Sequence, residues 1–101
     1  MKLFIDDIRE PPDKTWLVAR TYKQAEEYIL SGLVEEVSFD HDLGEEKTGY
    51  DLAKLFERAS FYGKEPPVWR VHSANPVGRS NINIAMRSAE RMYDAKQRER
   101  S

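Results

Sequence analysis

Three short strand-like runs in this chain each end in a carboxylate or an imidazole. Asp6 and Asp7 close the run KLFID. Asp40, His41 and Asp42 follow VEEVSF. His72, Ser73 and Asn75 follow VWRV. Carboxylates brought together repel one another, and desolvation adds to the penalty, so such a group calls for a cation. Oxygen donors suit a hard divalent ion; Mg²⁺ is the expected one, because it keeps its waters and recruits phosphate oxygens. Asp6, Asp7, Asp40 and Asp42 are the candidate metal ligands. Asp40, His41 and His72 are the candidates for catalysis, the histidines as general acid or base. Arg9 and Arg79, with Arg70 a further cationic candidate, would clamp phosphate oxygens. Ser73 and Asn75 would orient the substrate. Each piece alone has an ordinary explanation: a turn, a helix cap, a structural histidine. Their convergence on one edge is what points to chemistry.

That convergence requires particular elements. Lys2–Asp6, Trp16–Arg20, Val34–Phe39 and Val68–His72 read as strands. Asp7–Thr15, with Pro11-Pro12, reads as a loop. Thr21 with Gln24 predicts a capped helix whose apolar face is Ala25, Tyr28 and Ile29, stopped by Gly32. Thr48 with Asp51 opens a second helix, facing inward with Leu52, Leu55, Phe56 and Ala59 and stopped by Gly63. A third runs from Pro76 or Ser80 to about Lys96, with Ile82, Ala85, Met86, Ala89, Met92 and Tyr93 at helical spacing. Strands alternating with helices imply an α/β fold with a mainly parallel sheet of about four strands and helices on its faces. In open α/β sheets ligands bind beyond the carboxyl ends of the strands. The first link is short for a parallel crossover, so the pairing of the second strand stays open.

Composition narrows the possibilities. The chain has 101 residues, which suits one domain spanning 1–101. It has no cysteine, which excludes disulfides and thiolate zinc sites, and two histidines. No apolar run reaches the length of a membrane span and the first residues do not form a signal peptide, so a cytoplasmic location is expected. Residues 1–65 carry nine Lys+Arg against 15 Asp+Glu, whereas residues 66–101 carry seven against three. The basic excess of the second part lies mostly at Arg87, Arg91, Lys96, Arg98 and Arg100. Without interleaved aromatics it reads as a solvated helix face, and nucleic acid is not an expected partner.

The order Asp6-Asp7, then Asp40, then Ser73 resembles the response-regulator receiver domain. That resemblance implies Asp6 and Asp7 as metal ligands, Asp40 as ligand and phosphoryl acceptor, and Ser73 as a switch hydroxyl. Here a Pro-Pro loop stands where a receiver has its first helix. No fifth strand carries the receiver's phosphate-contacting lysine. The stretches LFIDDIREPP, SFDHDLG, KTGYDLA and VHSANPVGR more closely resemble a compact relative, the cyclic-phosphate processing receiver domain. The implied fold is a receiver-like (flavodoxin-like) three-layer sandwich. The implied activity is metal-dependent hydrolysis or binding of a cyclic phosphate or nucleotide. The alternative is a phospho-accepting or pseudo-receiver signalling module, with Asp40 as acceptor and a partner protein to regulate.

Overall fold

Element ends in the computed structural model, which describes residues 1–100, follow local signals. The order is β1 (Lys2–Ile5), β2 (Trp16–Ala19), α1 (Tyr22–Leu30), β3 (Glu36–Phe39), α2 (Gly49–Phe61), β4 (Val68–Val71) and α3 (Pro76–Glu99). Thr21 caps α1 by accepting from the Gln24 N–H. The Gln24 side chain accepts from the Arg20 N–H, one residue earlier than a full capping box would have it. The Asp51 carboxylate accepts from the Thr48 N–H at 2.8 Å and holds the start of α2. Asn75 caps α3 by accepting from the Gly78 N–H at 3.0 Å. Proline at the first helical position costs no hydrogen bond there, so α3 begins at Pro76 rather than Ser80. It ends at Glu99, three residues beyond Lys96.

The sheet is wholly parallel, in the order β2-β1-β3-β4. This matches the first four strands of the flavodoxin-like order, and the α/β receiver-like expectation holds. β2 pairs with β1 after all, Lys2 opposite Trp16 and Ile5 opposite Ala19, despite the helix-free link.

Alternation along the strands divides the sheet into two faces. Leu3, Ile5, Ala19, Val37 and Phe39 point to the helices and form one core with Ala25, Ile29, Leu52, Phe56, Ile82 and Met86. α1 packs on α2, and α2 on α3, so all three helices share that face. The other face carries Phe4, Trp16, Val18, Ser38 and Arg70. There the flanking layer is not a helix. It is the β1–β2 link, fastened where Lys2 Nζ donates to Thr15 Oγ1 at 2.9 Å and Arg20 donates to the Asp6 and Arg9 carbonyls. A right-handed crossover from β1 out to β2 must run over the face opposite to those directed toward β3 and β4. Among the described residues, no helix is long and apolar enough to cross a membrane.

The ladder extends one residue past three strands. Asp6 N–H donates to Ala19 O, Asp40 N–H to Ile5 O and His72 N–H to Phe39 O. Asp6, Asp40 and His72 therefore stand level on one rung at the carboxyl rim. They lie where the strand order reverses about β1 and β3, the point at which such sheets bind ligands.

Candidate functional site

β1, β3 and β4 each deliver one donor to this rim. One ligand atom from each of Asp6, Asp40 and His72 lies within 4.8 Å of the other two. Asp6 is fully buried, and Asp40 and His72 are half-buried. Two carboxylates and one imidazole are a donor set that fits a divalent cation.

Asp6 is held from several sides. Its Oδ1 accepts from the Ile8 N–H at 2.9 Å and the Arg9 N–H at 2.8 Å. Its Oδ2 meets His72 Nε2 at 2.9 Å. Burial pushes the Asp6 carboxyl up, but the Arg9 and Ile8 amides and His72 together outweigh it, so the group stays below the ordinary aspartate value. The His72 ring is fixed as firmly. It stacks on Phe4, centroids 4.5 Å apart and planes 4° from parallel. Its Nδ1 lies 2.7 Å from Ser38 Oγ. Arg9 donates from its guanidinium to the His72 carbonyl at 3.0 Å, tying the β1–β2 link to the end of β4.

The remaining predicted residues surround this centre without all joining it. Asp7 is half-buried and faces the β3–α2 loop, its Oδ2 3.3 Å from where a side chain on Gly44 would begin. Asp42 is exposed and accepts from Asn75 Nδ2 at 3.4 Å. The His41 ring lies against Gly78, where any side chain would collide with it, and His41 Nδ1 is buried without a partner. Ser73 is buried, and its hydroxyl accepts from the Asn75 N–H at 3.1 Å. Arg79 is exposed in the first turn of α3 and donates to the Ser73 carbonyl at 3.1 Å. Arg70 lies one rung-pair back from the rim and pairs with Glu36 at 3.3 Å.

Two close approaches make this packing possible. The Gly49 N–H donates to His41 O at 2.9 Å, and a side chain on Gly49 would strike the Asp40 carbonyl. Only glycine lets α2 start so near the end of β3. The loop between them is anchored by buried Leu43 and by Glu45, which accepts from the Tyr22 N–H at 2.8 Å.

Ser38 and Phe4, which hold His72, and Arg20, which holds the β1–β2 link, carry no motif in the sequence. The available signal for Ser38 was a hydroxyl inside a run of buried strand residues.

The family model described as the cyclic-phosphate processing receiver domain matches residues 1–88, which ends within α3. No curated protein and no solved structure matches the chain.

Proposed function

The chain belongs to the cyclic-phosphate processing receiver domain family, and from that premise we propose that it binds a divalent metal ion at the rim and hydrolyses a cyclic phosphate ester there. The observation that carries this reading is the mutual approach of Asp6, Asp40 and His72 within 4.8 Å. When bound, the ion would polarise a phosphoryl oxygen and lower the pKa of a coordinated water. Asp6 and Asp40 would hold it, with Asp7 and Asp42 at the edge of its surroundings.

This chain's own groups would do the rest. Arg9 reaches across the rim and has donors beyond the one it gives to the His72 carbonyl. Arg79 stands beside the start of α3, where backbone N–H groups and the helix dipole favour an anion. Together they would seat the phosphate. His41, between Asp40 and the Gly78 backbone, would move the proton to the leaving oxygen. The Ser73 hydroxyl is already engaged by the Asn75 N–H. It keeps its own O–H to donate, to a substrate oxygen in this reading or to a phosphorylated Asp40 in the signalling alternative.

The test is a panel of 2′,3′-cyclic mononucleotides and cyclic dinucleotides, each with Mg²⁺, Mn²⁺ and Zn²⁺, followed by appearance of the phosphomonoester or linear product. Turnover that disappears in Asp40→Asn is expected. Absence of turnover with every ion, or its survival in Asp40→Asn, would overturn the reading. A stable mass adduct on Asp40 from a small phosphodonor would favour the signalling alternative.

A further inference from the structure

The Ser38–His72 contact has a consequence for the identity of the ion. An ionised carboxylate only accepts hydrogen bonds, so Asp6 Oδ2 accepts one from His72 Nε2–H. In the neutral ring Nδ1 is then an acceptor, and the Ser38 hydroxyl donates to it at 2.7 Å. A hydroxyl can also accept. If the ring proton moves to Nδ1, Ser38 can turn its O–H and receive it, and Nε2 is left with a free lone pair facing Asp6, with an Asp40 carboxylate oxygen in the same cluster. The proton is conserved and changes only its nitrogen, so the ring need not rotate out of its stack on Phe4.

Spacing agrees with this exchange. Ligand atoms about 2.1 Å from a metal, and at right angles about it, lie about 3 Å apart. Nε2 and Oδ2 are 2.9 Å apart already. Resting on the reading that the rim holds a metal, we propose that His72 Nε2 is a direct ligand, with Ser38 its outer-sphere partner, and that the site takes a borderline divalent ion such as Mn²⁺ in preference to Mg²⁺. Imidazole suits transition ions, whereas Mg²⁺ is served by carboxylates, carbonyls and water. A ligating histidine characteristically gives its second ring N–H to a fixed acceptor. Ser38, almost wholly buried and rooted in β3, supplies that acceptor. Ser38 is thus a positioning residue.

The experiment uses the metal-stripped full chain, with Mn²⁺ and Mg²⁺ titrated by calorimetry. Pulsed electron paramagnetic resonance of the Mn²⁺ form then reads the ligand nitrogen. Wild type is expected to bind Mn²⁺ at least about tenfold more tightly than Mg²⁺ and to show ¹⁴N coupling from a coordinated imidazole. Ser38→Ala should weaken Mn²⁺ by about 10–100-fold while leaving Mg²⁺ little changed, and Ser38→Thr should restore Mn²⁺ binding. The wild-type resonance spectrum decides the matter even if Ser38→Ala fails to fold. Binding without ¹⁴N coupling, or equal loss of both ions in Ser38→Ala, would overturn this inference alone. No binding of either ion would overturn it together with the metal-dependent function.

Discussion

A buried aspartate beside a histidine carries two kinds of demand, structural and chemical, and Asp6 shows how they are met together. Its carboxylate lies below the ordinary aspartate value in spite of burial, because two amides and His72 favour the charged form. A depressed folded pKa stabilises the fold above the unfolded value of about 3.9, and that contribution is lost as pH falls through the lower folded value. Asp6→Asn keeps an acceptor for the Ile8 and Arg9 amides but turns an uncharged NH₂ toward Nε2. The expected loss in chemical denaturation at pH 7 is about 1–3 kcal/mol. The gap to wild type should close as the pH is taken below the ordinary carboxylate range. A gap that stays constant across that range would contradict the assignment. Asp6, Asp40 and His72 were legible in the sequence because each follows directly on a strand. Ser38 was not, because a lone hydroxyl in a strand reads as ordinary pleat alternation until its neighbour across the sheet is known.

At the scale of elements, the rim depends on where helices begin. Asn75 was readable as the α3 cap from SANP alone, since an Asx residue before proline is a helix entry of known form. Asn75→Ala should cost about 1 kcal/mol in thermal or denaturant unfolding. It should also release Asp42, whose side chain accepts from the Asn75 amide. The role of Gly49 was not readable from KTGYD. Its requirement comes from the Asp40 carbonyl, distant in the chain and adjacent in space. Gly49→Ala forces a methyl group against the Asp40 carbonyl and should destabilise the chain by about 1–3 kcal/mol or more. Because the displaced group is the Asp40 peptide, the proposed metal binding should weaken even under conditions where the variant remains folded. Calorimetry on the folded variant checks this.

At the scale of the whole molecule, the fold class followed from alternating strands and helices, and the parallel sheet bears it out. The placement of the helices did not follow as simply. A sequence shows that a helix has an apolar face, but only strand order and crossover hand decide which side of the sheet receives it. With all three helices on one side, the β1–β2 link must protect the other, and Arg20 pins it through the Asp6 and Arg9 carbonyls and Glu10. Arg20→Ala should raise amide exchange across residues 8–14 by about tenfold, a local change that leaves global stability within about 1 kcal/mol. Uniform acceleration throughout the sheet would show that the link is not a separate unit. Strand order also gives the imidazole of His72 an unusual reach. It leaves the end of β4, passes over β3 and touches Phe4 and Asp6 of the β1 segment, so it tethers an outer strand to one that is not its neighbour. β4 has backbone partners on one side only, and without that strap it is the strand free to peel. Cutting the tether with His72→Ala should therefore fray β4 before β2, a directional unzipping that residue-resolved hydrogen exchange would reveal.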